Sequence, residues 1–385
     1  MKIQISSDAD ARGVRHLEQQ LMALGLQVYR VPAAGERVIC AIATGDPVPI
    51  EEVKALRGVE SVVKLPHEFK LASRAYCQAS TKVAVGPVEI GGGEMVIMAG
   101  PCAVESEEQV FSAARHVYAH GARILRGGAF KPRTSPYSFQ GLGVTGLRIL
   151  RAAADELGMA VVSEIMDLSQ LDDCMKYVDI LQVGARNVQN FTLLSALGKV
   201  DKPVLLKRGM ASTIDEWLMS AEYIMAGGNH RVIVCERGIR AHNTYTRNTL
   251  DLAAVPVVKQ LSHLPIVVDP SHAVGVRSMV APMALAAVAS GADGLLIEVH
   301  PKPEIALCDG KQSLTPELFA DLAGKIRETA RVVGRTMPDR LDVAEPGRPD
   351  PGSADPGRVD PGRVDPEPGS GASKSAAKGA VRKGH

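Results

Sequence analysis

The sequence predicts an α/β protein: a (β/α)8 barrel with a small α+β unit before it and a disordered tail after it. Three observations carry this prediction. From Met95 to about Thr336, eight short apolar runs rich in β-formers alternate with helical spacings, as in a barrel whose strands are buried on both faces. The first 72 residues show the order βαββαβ. Residues 337–385 repeat D-P-G-R units and carry almost no large apolar side chain, so burial cannot offset their ordering entropy.

Residues 1–72 read as a separate small domain. KIQISS is a strand, and ADARGVRHLEQQLMALG places Val14, Leu17, Leu21 and Leu24 along one helical face. LQVYRVP and RVICAIAT follow as strands around Ala-Gly-Glu, IEEVKALRG is a second helix and VESVVKLP a last strand. This is the ferredoxin-like split βαβ order, and the segment holds no catalytic cluster. Residues 73–92 read as a linker containing a hairpin, KVAVGPVEIGGG.

Residues 93–336 form the barrel. Its strands are VIMAGP, ARILRGG, AVVSEIM, DILQVGA, PVLLKRG, VIVCERG, PIVVDPS and GLLIEVH. The helices between them include SEEQVFSAARHVYAHG, VTGLRILRAAADELG, TIDEWLMSAEYIMAGG, MVAPMALAAVASG and TPELFADLAGKIRETARVV. Ser106 with Gln109 and Thr213 with Glu216 read as capping boxes, and Thr315-Pro316 as a cap followed by an N1 proline. Gly121, Gly158, Gly228 and Gly291 stand where helices should stop. An open doubly wound sheet is the rival. The barrel is preferred because unusual polar residues follow nearly every strand, not only those at one switch point.

Bulk properties exclude several functions. A formal net charge of +1 over 385 residues gives no global field for nucleic acid or anionic membrane. No apolar run approaches the roughly 18 residues of a membrane span, and MKIQISSDADARG lacks a signal-peptide core. Six scattered cysteines without a C-x-x-C pair suit reduced thiols in the cytoplasm.

The chemistry-bearing residues fall at the strand ends. Cys102, His272, Glu298 and Asp309 offer a thiolate, an imidazole and two carboxylates, a set suited to a borderline divalent metal such as Mn, Fe, Co or Zn. Six cations share that face: Arg126, Lys131, Arg133, Arg186, Lys207 and Arg237. So many Arg and Lys are costly unless anions fill the pocket, so the ligand should carry phosphates. Strand ends also deliver Glu164, Asp167, Arg208, Glu236, Asp269 and His300. Taken singly, each has a plainer reading: a core cysteine, a hydrogen-bonded histidine, a solvent-facing arginine. Their placement at successive strand ends argues for one active centre.

The stretches AGPCAVES, LRGGAFKPRTSPYSFQGLG, VSEIMD, DILQVGARN, PVLLKRGM, VIVCERGIR, VVDPSHAVG and EVHPKPEIALCDGKQS resemble the 3-deoxy-D-arabino-heptulosonate 7-phosphate (DAHP) synthase family. The likeness is to its branch with an N-terminal ferredoxin-like regulatory domain and a TIM-barrel catalytic domain. It implies condensation of phosphoenolpyruvate with D-erythrose 4-phosphate, releasing phosphate at the entry to the shikimate pathway. It carries metal ligation onto Cys102, His272, Glu298 and Asp309. Phosphoenolpyruvate contacts fall on Arg126, Lys131, Arg186, Lys207 and Arg237, with Glu164 near, and erythrose phosphate contacts on Arg133 and Thr134. Lys131 would protonate the former aldehyde oxygen, and Glu164 or the His272 side of the site would aid the attacking water.

Two other readings compete with this one. 3-Deoxy-D-manno-octulosonate 8-phosphate synthase resembles K-A-N-R-S-S where this chain has KPRTS. A non-catalytic aromatic amino-acid sensor would not need intact metal and phosphate residues. The resemblance further implies a homo-oligomer, guessed as a tetramer, and an aromatic amino-acid effector on residues 1–72, whose domain would cover the barrel mouth. Cys308, beside Asp309, marks a redox liability if it lies near Cys102.

Overall fold

The structure, a computed structural model, describes residues 1–133 and 135–338. Thr134 and the tail beyond Pro338 lie outside the described residues. In the first segment, β1 (Lys2–Ile5), α1 (Ala11–Ala23), β2 (Leu26–Tyr29), β3 (Val38–Ala43), α2 (Ile50–Lys54) and β4 (Val59–Val63) follow in the expected order. The strands form one antiparallel sheet, ordered β2-β3-β1-β4. Strand β3 explains its own continuous apolar run, because both of its faces are buried. Ile39 and Ala41 pack with Leu17 and Leu21 of α1, while Val38 and Cys40 join the core around the barrel.

β5 (Val83–Val85) and β6 (Val88–Ile90) make the expected hairpin, turning at Gly86-Pro87. Then β7 (Val96–Gly100), α3 (Glu107–Ala119), β8 (Ile124–Arg126), α4 (Gly143–Leu157), β9 (Ala160–Ile165), α5 (Leu171–Tyr177), β10 (Ile180–Val183) and α6 (Phe191–Leu197) build the first half of the barrel. β11 (Val204–Lys207), α7 (Ile214–Ala226), β12 (Val232–Glu236), α8 (Ala254–Leu261), β13 (Ile266–Val268), α9 (Pro270–Val274), α10 (Arg277–Ala289), β14 (Gly294–Glu298) and α11 (Pro316–Val332) complete it. The strands β7 to β14 are parallel and close on themselves through β14 and β7, so the doubly wound alternative is excluded.

Two layers of apolar side chains hold this architecture. Inside the barrel, Val96, Met98, Ile124, Val162, Ile180, Leu205, Ile233 and Leu296 pack against Val83, Val85, Val88 and Ile90 of the hairpin. The hairpin therefore stoppers the N-terminal end of the barrel and leaves the C-terminal end open. Outside, Leu125, Val161, Leu181 and Leu206 meet helix residues such as Leu150 and Trp217. Met337, expected to open the tail, is buried in this outer layer.

Helix ends follow the expected chemistry with one change. Thr213 and Glu216 close a full capping box. Ser106 accepts the Gln109 amide, but the Gln109 side chain accepts from Glu105 N and donates to Ala103 O instead of completing a box.

The small sheet docks on the barrel's flank. Glu222 on α7 accepts three successive backbone N–H groups, from Lys70, Leu71 and Ala72, at 2.9, 2.7 and 3.0 Å. The Tyr76 hydroxyl accepts from Val31 N and donates to Tyr29 O. These anchors correct the expectation of a domain lying over the mouth. Within this chain, the later half of α7 and the segment after β4 receive it, away from the strand ends that carry the charges. Among the described residues, no helix is long and apolar enough to cross a membrane.

Candidate active site and metal centre

Each of the four candidate ligands is delivered by a different local device. Cys102 follows Pro101 just past β7, and Glu298 is the last residue of β14. His272 sits on the short α9, whose N-cap Asp269 accepts the His272 N–H at 2.9 Å through one oxygen. The other Asp269 oxygen accepts from His272 Nδ1 at 2.7 Å, which leaves Nε2 to face the cluster. Asp309 adopts φ +54°, an uncommon left-handed conformation for a residue with a side chain, and is followed by Gly310. A Cβ at Gly310 would lie 2.2 Å from the Pro303 carbonyl oxygen, so only glycine permits this turn.

One donor atom from each residue lies within 4.8 Å of all the others. Cys102 Sγ is 3.3 Å from Asp309 Oδ2, and His272 Nε2 is 3.1 Å from Glu298 Oε1 and 3.8 Å from Asp309 Oδ2. Ligands bonded at about 2.0–2.3 Å to one metal stand roughly 3–4 Å apart when adjacent. Spacing and donor chemistry therefore fit a borderline divalent ion. The outer contacts fit too: Gln312 Nε2 donates to Glu298 Oε2 at 2.9 Å, and Arg126 donates to Glu298 Oε1 at 2.9 Å.

Beside this cluster is a cleft of about 330 Å³ at the C-terminal ends of the strands. All six expected cations line it, and so does Glu164. Arg126, Lys131, Lys207 and Arg237 are buried, Arg133 is half-buried and Arg186 is exposed on the turn after β10. Arg126 Nε has no hydrogen-bond partner among the described residues, a buried donor suited to an anionic ligand. Lys131 Nζ reaches the Cys102 carbonyl at 3.0 Å and Sγ at 3.1 Å, and Lys207 Nζ donates to Asp269 at 2.5 Å.

Charge coupling across the site is strong. Burial pushes Asp269 up, but the His272 and Lys207 charges outweigh it and hold the carboxyl well below its ordinary range. Burial opposes charge on His272, yet Asp269 and Glu298 lift it above the ordinary histidine value. Cys102 and Cys308 approach within 3.3 Å and share one hydrogen bond. Accepting it brings Cys308 down to about 7, with help from Lys131 and Arg133, while donating it and burial drive Cys102 up. The two sulfurs are thus as close as the redox expectation required, although neither is in a disulfide.

Not every strand-end charge belongs to the site. Arg208 is satisfied by Glu236 and Asp251, so that pair braces the barrel. His300 bonds to Glu105 and the Lys302 amide, and Asp167 caps the turn Leu168–Gln170. The sequence reading missed Arg247, Ser163 and Gln182, all of which line the cleft. Arg247 pairs with Asp309 at 3.4 Å, Gln182 donates to Glu164 at 3.4 Å, and buried Ser163 Oγ has no partner among the described residues. Arg247 lies in the long loop after β12, beyond a strand-end search. Gln182 shares the inward parity of Ile180 and is barrel-facing by alternation, whereas Ser163 shares the outward parity of Val161 and carries no such signal.

The sequence profile of the DAHP synthetase I family matches residues 72–333. The chain is 51% identical over 300 residues to a phospho-2-dehydro-3-deoxyheptonate aldolase of Thermotoga maritima, spanning 78% of this chain and 89% of that one. It is 32% identical over 273 residues to a 2-dehydro-3-deoxyphosphooctonate aldolase of Geobacter sulfurreducens, spanning 66% and 98%. Among solved structures, the DAHP synthase of Thermotoga maritima superposes with a TM-score of 0.70 at 45% identity, covering 87% of this chain and 98% of that one. A truncated form of the Thermotoga maritima enzyme gives 0.66 at 48% identity, covering 70% and 98%. On the profile's extent and the 51% identity across most of both chains, this chain belongs to the DAHP synthetase I family.

Proposed function

We propose that this enzyme, a DAHP synthase by family, condenses phosphoenolpyruvate with D-erythrose 4-phosphate at the open end of the barrel with the aid of a divalent metal. The observation that carries the reading is a four-donor S/N/O cluster within 4.8 Å beside a cleft lined by Arg126, Lys131, Arg133, Arg186, Lys207 and Arg237. Cys102, His272, Glu298 and Asp309 would hold the ion, which when bound supplies Lewis acidity toward an aldehyde.

The chain's own residues do the remaining work. Arg126, Arg186, Lys207 and Arg237 neutralise and orient phosphoenolpyruvate, while Arg133 and Thr134 take the aldose phosphate. Bringing two polyanions together is mostly proximity and charge compensation. Burial works against charge on Lys131, but the flanking Cys102 and Cys308 sulfurs keep it protonated, ready to donate to the former aldehyde oxygen. Glu164 is the group assigned to the attacking water, with the metal side of the site near His272 as the alternative, since both His272 nitrogens are engaged by Asp269 and the cluster.

The KPRTS loop and the higher identity to the heptonate aldolase favour the four-carbon aldose over arabinose 5-phosphate. Phosphate release should be rapid with phosphoenolpyruvate and erythrose 4-phosphate, weak with arabinose 5-phosphate, and abolished by a chelator until Mn²⁺ is returned. Equal turnover of both aldoses, or activity indifferent to chelation, would sink the respective part of the reading.

For residues 1–72, the expected ferredoxin-like domain, we propose feedback inhibition by tyrosine or phenylalanine within a homo-oligomer. A truncation placed after Lys64 leaves the Lys70–Ala72 amides on Glu222. The truncated enzyme should turn over but ignore these amino acids. Undiminished inhibition in the truncation would exclude the role.

A further inference from the structure

At the end of the barrel opposite the active site is a second cavity, of about 430 Å³. Its walls come from segments distant in sequence: Arg74, Ser80 and Thr81 from the linker, Gly91 and Gly92 after the hairpin, Lys259 from α8, and His263 to Pro265 before β13. Asp293, just before β14, and Arg335, after α11, complete it.

The charge on these walls does not balance. Asp293 Oδ1 accepts from both Lys259 at 2.8 Å and Arg335 at 2.7 Å, while its Oδ2 accepts from Ile266 N. One carboxylate thus answers two cations. Arg74 has neutral acceptors only: the Lys259 and Gln78 carbonyls and Ser80 Oγ. Burial lowers His263 to about 4, so this ring is neutral and adds no charge at neutral pH. Glu89, near Gly92, is already paired with Lys82. Three lining cations against one lining carboxylate leave an excess of two positive charges.

Arg335 keeps one donor unused. Its Nη2 serves Asp293 and the Gly291 carbonyl, but its buried Nη1 has no hydrogen-bond partner among the described residues. A guanidinium with a spare buried donor, beside an ammonium and a second guanidinium, suits a dianionic phosphoryl group, which forks of this kind bind through paired hydrogen bonds. We propose that this basal cavity is a second anion site, taking inorganic phosphate or the phosphoryl group of a small phosphate monoester. Its occupant would bridge the linker, the starts of β13 and β14 and the chain segment after α11. It would do so without touching the cleft at the other end.

Calorimetric titration of the full-length enzyme tests this, with inorganic phosphate and glycerol 3-phosphate as probes. The intact protein should take one equivalent in the basal cavity besides those of the upper cleft, which serves two substrate phosphates. Arg335→Gln and Arg74→Gln should each weaken the basal equivalent by about tenfold or more, the scale of a lost charged hydrogen bond, and retain full turnover. Arg237→Gln should weaken a cleft equivalent and impair turnover, so failure of the basal site and failure of the active-site reading are separable. The tighter of the two probes at the basal site names the source of the phosphoryl group. Binding that both basal variants leave undiminished, or that Arg237→Gln abolishes altogether, would overturn the proposal. Arg74 has no carboxylate partner, so its variant remains informative if Arg335→Gln fails to fold.

Discussion

At the scale of single residues, the site depends on close approaches that leave no room for change. A Cβ at Gly184 would stand 2.0 Å from Glu164 Oε1 and 2.8 Å from its Cδ. Gly184→Ala must therefore swing the Glu164 carboxylate away from Gln182. The atoms displaced are the end of a flexible side chain, so stability should change little. We expect a near-normal Tm together with a fall in kcat of at least tenfold, and Gly184→Ala kinetics equal to wild type would contradict it. Asp269 is a second such point, since its two oxygens fix both the backbone and the ring of His272 and one also holds Lys207. Asp269→Asn should weaken metal affinity by about 10–100-fold, the usual effect of losing an outer partner. Because Asp269 and Glu298 lift His272 above its ordinary value, the metal-free ring holds its proton to higher pH than a free histidine. Metal must displace that proton, so affinity in the intact enzyme should rise with pH above the ordinary histidine range. Titrations in buffers of different ionisation enthalpy would report the released proton, and a pH-independent affinity would refute the linkage.

At the scale of elements, what was legible follows from what each segment buries. The eight strands could be read because parallel strands covered on both faces need unbroken apolar runs, and VIMAG and GLLIE are buried throughout. Helices α5 and α6 were harder to see, because seven-residue helices held by tertiary contacts need little amphipathic pattern of their own. Cys102, His272 and Glu298 were findable because strand ends point at the open face. Gln312 was not, since its link to Glu298 depends on loop geometry that no spacing rule encodes. The same holds for Glu222, which reads as one more helix-surface acid but is buried, with burial raising its pKa against three backbone donors. Glu222→Gln keeps a single acceptor oxygen and points an amide donor at other donors. It should cost about 1.5–3 kcal/mol, the worth of hydrogen bonds to a charged group. Early proteolysis near residues 65–72 should accompany the loss, and denaturation indistinguishable from wild type would show that α7 does not hold this segment.

At the scale of the whole molecule, the open end carries the chemistry because the other end is sealed. The seal consists of the hairpin and of linker contacts centred on His263, whose Nε2 meets the Leu71 carbonyl at 2.7 Å and whose Nδ1 meets Thr81 Oγ1 at 2.7 Å. Since Leu71 O can only accept, Nε2 carries the proton and Nδ1 accepts from the threonine. Protonating the ring would reverse the bond to Thr81, whose hydroxyl would then accept, and would bury a charge. Burial lowers the folded pKa from 6.5 to about 4, so below pH 6.5 the unfolded chain binds a proton that the native chain refuses. Stability from this group is complete above the unfolded value and is lost as pH falls from 6.5 toward 4, by about 3 kcal/mol at 1.36 kcal/mol per unit. His263→Gln can still donate to Leu71 but does not titrate. The difference in unfolding free energy between wild type and His263→Gln should therefore shrink by about that amount between pH 7 and pH 4. A difference that stays constant with pH would mean that His263 is not the group that makes the seal acid-sensitive.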